Sequence, residues 1–401
     1  MPRPRRLWLP AALSLTLVGW GANQFASLLA MYRQEYGFSE LAVTAMLGIY
    51  VAGLVPALLL AGPFSDAAGR KRVALGAIAL SVVASAAMLF GTLSPVPLFA
   101  GRLLAGIATG MAMAATTSWI KELSQAPWEE HAHIGAGARR AALFSAGGFW
   151  LGPVAAGLLA NWAPAPETLP YLLHIALCIP MGLIALRLPE TRARGERVGL
   201  RARLVAPSGG HPRFRRVIAP AAPWAFGSGT IGFAVVPALL TNLGDARLLY
   251  ATAAAALTLG AGVLIQPLAR RLDDPGSARA ILAALGTSVA GLLLALLAGL
   301  ALNPWLGLAA STVLGAGYGL MLVSGLLETQ RLAPPAELGA LTGYYYTLTY
   351  FGFLAPTVIA FFAQWFPTLS LVAVALLLCL ASVASVARNS RKHLPVAALS
   401  G

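Results

Sequence analysis

A charged segment, GPFSDAAGRKR, begins at Gly62 and separates two long apolar runs. A loop this short between two predicted spans must turn sharply, for which Gly69 is suited because glycine tolerates unusual backbone angles. We expect Asp66 near the N-terminus of the following helix, where negative charge is favoured. Arg70 and Lys71 then meet the inner membrane surface. A simple turn with positive charge on the inner side of the membrane would explain Arg70 and Lys71. It would not explain an acid and two glycines at this spacing.

Residues that could carry out covalent chemistry are not grouped in this sequence. A membrane enzyme would need a nucleophile, a metal cluster or paired acids within reach of one another. The sequence has no H-E-x-x-H motif, no paired acids within a span and no serine–histidine arrangement. Glu129, Glu130, His131 and His133 look like a metal-binding group by type, but they fall in a predicted solvated loop. We therefore expect no enzymatic activity, no metal and no cofactor, although a sensor or scaffold is also compatible with these residues.

The composition is that of a membrane protein. Hydrophobic residues make up 58% of the chain and charged residues 10%, whereas soluble proteins have about 25% charged residues. A helix needs about 20 apolar residues to cross a bilayer, and the apolar runs here are too long for barrel strands. We therefore predict an all-α membrane protein with twelve transmembrane helices. The apolar runs cover residues 8–30, 40–63, 73–94, 97–119, 141–162, 168–188, 218–240, 248–269, 280–301, 304–327, 338–363 and 368–387.

The basic residues are distributed unevenly along the chain. In a soluble protein the net charge of +14 would suggest a nucleic-acid partner. With both termini inside, however, every Lys and Arg except Arg33, Arg102 and Arg247 falls in an inside loop or terminus, which is the usual bias of membrane proteins. We predict cytoplasmic termini, the lipid bilayer as partner and no nucleic-acid partner. The excess of Arg over Lys, with abundant Ala and Gly, indicates a bacterial inner (plasma) membrane.

One long polar stretch, from about Pro189 to Arg216, divides the spans six and six. Two equal halves joined by an inside loop are typical of a duplicated transporter with its substrate near the midplane between the halves. A long linker in an unrelated membrane protein is the alternative. We predict an N-terminal six-helix bundle over residues 1–190, a basic cytoplasmic linker over 191–216 and a C-terminal six-helix bundle over 217–401.

The opening segment resembles the loop signature of the major facilitator superfamily, G-x-x-x-D-x-x-G-R-[RK], at every position. The resemblance implies the major facilitator fold, with two six-helix bundles. It also implies a cytoplasmic gate that contains Asp66 and Arg70, with Gly62, Gly69 and Lys71 in the same segment. The corresponding place after span 8 reads QPLARRLDDPG, where an arginine replaces the acid. A symmetrical gate is therefore not expected.

Span 4 resembles the arginine-containing fourth-helix motif of proton-linked members of that family. Arg102, Gly106 and Gly110 carry the motif, and at helical spacing Arg102 shares a stripe with Thr109 and Met113. A charge at mid-depth costs roughly 2.5 to 3.5 kcal/mol on insertion, so such residues usually face the bundle interior. We predict that Arg102 takes part in proton coupling. The alternative is a side chain that extends to the outer interface.

Span 5 resembles the fifth-helix motif of antiporters and exporters of the family, although Arg139 stands where the motif's upstream glycine would be. The residues that match are Gly148, Gly152, Pro153 and Gly157. We expect the helix to bend at these residues, with packing against neighbouring helices as the alternative. At the end of span 6, residues 188–191 read LPET, as in several members of the superfamily, including drug exporters.

Several polar and aromatic side chains are candidates for the substrate cavity, which spans 1, 4, 7 and 10 line in the family. The candidates on these spans and on span 11 are Trp20, Asn23, Gln24, Met113, Thr116, Trp224, Ser228, Tyr318 and Tyr345. Such a lining suits a small organic molecule held by stacking and a few hydrogen bonds. An aromatic belt at the membrane surface is the alternative for part of this set.

Proton coupling ordinarily needs a carboxylate or a histidine whose pKa can shift toward the working pH. None of the 14 acids lies near the middle of a predicted span, and His174 is either a proton carrier or a packing residue. A cavity that holds Arg102 and no acid disfavours cations. We predict a monomeric transporter that exports a small neutral or anionic organic compound by alternating access in exchange for protons. Uptake by symport or facilitated diffusion is the alternative.

Overall fold

The computed structural model describes residues 6–130, 132–133, 135–192, 205–334 and 337–394. Within these residues the chain forms twelve long helical segments and no strand, so the all-α prediction is confirmed. The first segment, α1, covers residues 8–34. The others are α2 (Glu40–Ala68), α3 (Arg70–Met88), α4 (Pro95–Leu123), α5 (Ala136–Trp162), α6 (Leu169–Ala185), α7 (Phe214–Leu239), α8 (Gly244–Leu272), α9 (Arg279–Ala301), α10 (Pro304–Leu332), α11 (Leu338–Phe362) and α12 (Thr368–Asn389).

Ten of these helices are long and apolar enough to cross a membrane. The remaining two helices, α6 and α1, do not meet this criterion, each for a different reason. α6 is apolar but has 17 residues. α1 is interrupted, because a 3₁₀ turn at Gln24–Leu28 separates the helix Trp8–Asn23 from the helix Leu29–Gln34. The architecture agrees with a membrane protein of about twelve spans, while the count of twelve crossings stays a prediction.

The described residues divide into two compact units. The first contains α1, α3 to α6, and α2 from Ile49 onward; the second contains α7 to α12 and the start of α2 through Gly48. The part of the predicted linker at 193–204 lies outside the described residues. The domain boundaries at 190 and 216 stay a prediction.

Glycines let the helices of the first unit touch through their backbones. A Cβ atom at Gly148 or Gly152 of α5 would collide with the carbonyl oxygens of Thr16 and Trp20 in α1. Small residues at four-residue spacing permit such close contact in membrane helices. α5 is continuous through Pro153. The structure thus gives Gly148 and Gly152 a packing role, and bending at Gly148, Gly152, Pro153 and Gly157 stays a prediction.

The turn between α2 and α3 differs from the expectation for Asp66. α2 continues to Ala68, so Asp66 lies in its last turn and not at the N-terminus of α3. Gly69 alone makes the turn, with φ of 103°. The expected dipole contact of Asp66 is therefore wrong. The reason is that a one-residue turn leaves Asp66 on the preceding helix, four residues before Arg70.

Candidate functional site

Arg70, at the start of α3, is the centre of a charged cluster in the first unit. It is 7% exposed, and its guanidinium lies 2.6 Å from an oxygen of Asp66 and 3.2 Å from an oxygen of Glu122. It also donates a hydrogen bond of 2.6 Å to the Ser65 hydroxyl. One base therefore connects two acids from two other helices, α2 and α4. The predicted pair of Asp66 and Arg70 does come together, and Glu122 is a partner that the motif did not reveal.

Residues after α6 complete this cluster. The guanidinium of Arg192 lies 3.3 Å from the same Asp66 oxygen, and Thr191 donates a hydrogen bond to Glu122. We call Ser65, Asp66, Arg70, Glu122, Thr191 and Arg192 the Arg70 cluster. It contains two acids and two bases, so its charges balance, and it joins α2, α3 and α4 to the segment that follows α6.

Glu190 caps α3 with its carboxylate. It accepts the backbone N–H groups of Arg70 at 2.9 Å and Lys71 at 3.1 Å. The first amides of a helix have no partner within the helix, and their partial positive charge favours an anion. A Cβ atom at Gly69 would collide with Glu190, whereas one at Gly62 would meet nothing within 4 Å. Of the two motif glycines, the structure therefore requires Gly69. The LPET segment was the only sequence signal for Glu190.

The second unit contains a charged cluster of different construction. Glu328 of α10 is 3% exposed, and its two oxygens lie 2.6 Å from Arg213 and 2.9 Å from Arg331. Arg331 also pairs with Asp273, which follows α8. We call Arg213, Asp273, Glu328 and Arg331 the Glu328 cluster. In the second motif Arg270 stands where the acid would be, and the acids of this cluster are Asp273, later in the same segment, and Glu328 of α10.

Arg213 is fully buried, although in the sequence it belongs to a run of basic linker residues. Its guanidinium donates hydrogen bonds to the backbone oxygens of Asn389, Ser390 and Lys392, at 3.2, 2.6 and 3.0 Å. Arg213 thereby ties the chain before α7 to α10 and to the end of α12. No pattern in the sequence distinguished it from the exposed Arg215 and Arg216.

Arg102 of α4 points into the first unit and is 1% exposed. It donates a hydrogen bond of 2.5 Å to the carbonyl oxygen of Ala22. Its guanidinium carbon lies 4.4 Å from the ring centre of Tyr50 and 5.2 Å from that of Phe25, distances at which a cation is attracted to an aromatic face. Ala22 lies two residues before the interruption of α1 at Gln24–Leu28, so the arginine binds the backbone next to the point where α1 leaves regular helical geometry.

His174 of α6 lies in a buried string of hydrogen bonds. Gln24 Nε2 donates to Ser85 Oγ at 3.0 Å, Ser85 Oγ lies 2.8 Å from His174 Nδ1, and His174 Nε2 lies 2.9 Å from the Leu17 carbonyl oxygen. A carbonyl only accepts, so Nε2 carries the proton and Nδ1 accepts from Ser85. We call these residues the His174 string. Both ring nitrogens have partners in the neutral form, which supports the packing alternative for His174.

The other cavity candidates are hydrogen-bonded or packed within their own units. Asn23 donates to the carbonyl of Phe149, and Ser145 donates to Met113. In the second unit, Trp224 donates to Ser382, Ser228 to Ser288, and Tyr345 to the carbonyls of Met321 and Leu322. Thr116 is buried in a wide turn of α4 at Ala112–Thr116. A cavity role for these residues stays a prediction.

Four aromatic rings pack together in the second unit, on α7, α10 and α11. The ring centre of Phe226 lies 4.5 Å from that of Tyr350, 4.8 Å from that of Phe353 and 5.5 Å from that of Tyr318. The sequence identified Tyr318 but not Phe226. Nothing in the local pattern separates Phe226 from the apolar residues around it.

The acidic and histidine residues of the loop after α4 do not come together as metal ligands among the residues that the structure describes. No group of three or more metal-binding side chains occurs in that part of the chain. Glu129 instead pairs with Arg140, whose guanidinium lies 4.0 Å from the ring centre of Trp8. His131 lies outside the described residues.

Comparison with known proteins agrees with this architecture. A curated relative, the gallate transporter of Pseudomonas putida, is 32% identical over 118 residues, which cover 29% of this chain and 26% of that protein. The matched region thus spans about a quarter of the relative. Among solved structures, a mutant form of the nucleoside transporter NupG is similar with a TM-score of 0.75 at 13% identity, covering 96% of this chain and 99% of that one.

A mutant form of the peptide transporter POT is similar with a TM-score of 0.76 at 14% identity, covering 97% of this chain and 95% of that one. At these identities the likeness shows the fold. The profile of the Major Facilitator Superfamily matches residues 11–356. That match covers most of the chain and includes both units, the Arg70 cluster and the interrupted α1. The chain therefore belongs to the Major Facilitator Superfamily.

Proposed function

We propose that this transporter works by alternating access and exports a small neutral or anionic organic compound in exchange for protons. The observation that carries the proposal is the position of Arg102, which is buried and fixed on the carbonyl of Ala22 next to the interruption of α1. Every acid of the described residues lies in a loop or near a helix end. The fixed positive charge inside the first unit therefore favours anionic or neutral substrates over cations.

The relative's name supports the substrate class. The relative in Pseudomonas putida transports gallate, which is an organic anion. The proposal extends to the membrane arrangement: a monomer in a bacterial inner membrane, with both termini on the cytoplasmic side and the two six-helix bundles joined at residues 191–216. The skewed distribution of Lys and Arg supports this orientation. A protease-sensitive tag at each end, cleaved from the cytoplasmic side alone, tests it.

A specific observation favours a second candidate, uptake by symport or facilitated diffusion. Both ring nitrogens of His174 have partners in the neutral form. A second proton on the ring, at Nδ1, would require the Ser85 hydroxyl to accept from the ring and to direct its own hydrogen elsewhere, so the hydrogen bonds of the His174 string fit the neutral ring as they stand. Export by antiport then requires another proton carrier, whereas facilitated diffusion requires none.

The test is substrate-driven proton movement in liposomes that contain the purified protein and a pH-sensitive dye. The panel consists of neutral, anionic and cationic organic compounds, gallate among them. Arg102→Ala removes the fixed charge, and Arg139→Ala is the matched control, since Arg139 is an exposed arginine at the start of α5. We expect protons to move against an anionic or neutral substrate, with loss of this signal in Arg102→Ala only.

Substrate flux without proton movement would replace antiport by facilitated diffusion. Proton movement in the same direction as the substrate would establish symport. A preference for cations that survives Arg102→Ala would overturn the substrate class.

A further inference from the structure

Four polar atoms of α1 are buried without a hydrogen-bond partner among the described residues. One is the indole Nε1 of Trp8, at the start of the helix. The other three are the indole Nε1 of Trp20, the amide Oε1 of Gln24 and the hydroxyl of Ser27. The side chains of Gln24 and Ser27 are fully buried. The large majority of buried polar side-chain atoms in proteins have a hydrogen-bond partner, because an unpaired one is costly. Three such atoms within eight residues therefore indicate a missing binding partner.

These three residues lie on one face of α1. Trp20 and Gln24 are four residues apart at the end of the first helical part, a spacing that places side chains one above the other. Gln24 and Ser27 are three residues apart within the 3₁₀ turn, where side chains at that spacing are aligned. The unpaired atoms consequently follow one another along the same side of the helix.

The orientation of the Gln24 amide follows from the His174 string. The Leu17 carbonyl requires the proton on His174 Nε2, so the Ser85 hydroxyl donates to Nδ1 and needs a donor of its own. Gln24 Nε2 is that donor. Turning the amide around would point an acceptor at a hydroxyl whose proton is already bound to His174. Gln24 Oε1 is therefore the acceptor that is left unpaired.

The interruption of α1 has a counterpart in the second unit. Gln24 is 16 positions after Trp8, where α1 begins, and Ile231 is 17 positions after Phe214, where α7 begins. A wide π-type turn at Ile231–Val235 interrupts α7 there. Interruptions at corresponding positions of the two halves mark substrate sites in secondary transporters. The unpaired atoms thus lie beside the kind of helix interruption that is associated with substrate sites in duplicated transporters.

We propose that Trp20, Gln24 and Ser27 form a subsite for a hydroxyl group of the transported compound. A hydroxyl donates to Gln24 Oε1 and accepts from Trp20 Nε1, and Ser27 can do either. A carboxylate cannot donate to Gln24, and an ammonium group cannot accept from Trp20. A hydroxyl is the smallest organic group that both donates and accepts, and the substrate class that fits is a hydroxylated organic compound. This inference rests on the proposed transport of a small organic solute.

The experiment measures binding to the full-length purified protein for matched pairs of probes. Each pair differs in its hydroxyl groups: gallate and benzoate, 4-hydroxybenzoate and benzoate, 3-hydroxybutyrate and butyrate. Gln24→Met removes the acceptor at nearly constant volume, and Gln364→Met makes the same change at an exposed position. Ser27→Ala is a second variant, which leaves the His174 string intact. It tests the subsite even if Gln24→Met does not fold.

In at least one pair, we expect the hydroxylated member to bind about tenfold more tightly, as for one hydrogen bond in a buried site. Gln24→Met removes this preference, Ser27→Ala reduces it, and Gln364→Met keeps it. Absence of any hydroxyl preference, or a preference that survives Gln24→Met, overturns the subsite. A variant that changes thermal stability but not the ratio of the affinities for the two members of a pair also overturns the subsite, because the missing partner is then a trapped water. Proton-coupled transport of benzoate or butyrate would preserve the proposed function in each of these cases.

Discussion

The two charged clusters differ in which charge is central and in how much water reaches it. In the Arg70 cluster a base binds two acids, and the side chains of Asp66 and Glu122 are 23% and 25% exposed. In the Glu328 cluster an acid that is 4% exposed binds two bases, one of them the fully buried Arg213. Exposed ion pairs contribute about 0 to 1 kcal/mol, whereas removing one partner of a buried pair costs about 3 to 5 kcal/mol.

This difference separates an exchangeable contact from a permanent one. Arg70 itself is 7% exposed, but water reaches both of its acid partners, which suits the gate that the family resemblance implies for Asp66 and Arg70. The Glu328 cluster holds the start of α7, α10 and the end of α12 together. Separating its charges would be costly in free energy, because the pair of Arg213 and Glu328 is buried. We therefore propose that the Arg70 cluster exchanges partners during transport, whereas the Glu328 cluster holds its unit together, because the two clusters differ in burial.

The largest expected effect comes from Arg213→Met. The substitution leaves Glu328 buried with one base instead of two and deprives three backbone oxygens of their donor, so we expect a loss of about 3 kcal/mol in the free energy of unfolding. Chemical denaturation of the purified protein measures it. Arg215→Met, at an exposed neighbouring position, is the matched control. Equal stability of the two variants would remove the contrast between the clusters.

Gly69→Ala is expected to have the next largest effect. The residue has φ of 103°, and a Cβ atom there would displace the Glu190 carboxylate from the start of α3. Left-handed backbone costs about 1 to 2 kcal/mol for a residue other than glycine, before the loss of the cap. The free energy of unfolding and the transport rate should both fall. Gly62→Ala changes the same motif where no atom is near; a comparable loss there would contradict this reading of the turn.

Glu122→Gln should affect transport more than stability. Arg70 keeps Asp66, and the lost pair is partly exposed, so we expect a change below about 1 kcal/mol in unfolding free energy. If the Arg70 cluster exchanges partners during transport, the transport rate in liposomes changes several-fold. Glu130→Gln, on an exposed loop residue, controls for the lost charge. A stability loss as large as that of Arg213→Met would show that the Arg70 cluster is structural.

The smallest effect is expected for Arg192→Ala. Its side chain is 44% exposed and lies 3.3 Å from Asp66, so solvent and salt screen the pair. We expect about 0.3 kcal/mol at low ionic strength and no measurable change near 1 M salt. Denaturation at both salt concentrations checks this. A salt-independent loss would place Arg192 in a protected environment like that of Arg213.

The sequence predicted the all-helical membrane architecture and the family, and it paired Asp66 with Arg70, because both rest on local signals. The length of a hydrophobic run predicts a membrane helix. Asp66 and Arg70 are only four positions apart, so either a helix or a tight turn brings their side chains together. The sequence also predicted that Arg102 faces the interior. It missed Glu122, Glu190 and Arg213 as partners, and it placed Asp66 at the wrong helix end, since helix boundaries are uncertain by several residues.

By itself, the sequence determined that this is a multi-pass membrane protein, that one long polar stretch divides its apolar runs six and six, and that it carries the complete loop signature of its family. Composition and periodicity are sufficient for that because burial in lipid constrains every apolar run in the same way. Only the tertiary structure decided which charges are partners and which are buried. Glu190 reaches Arg70 across 120 positions, and Arg213 reaches Glu328 across 115. Such pairs depend on how helices pack, and packing brings together residues that no local pattern relates.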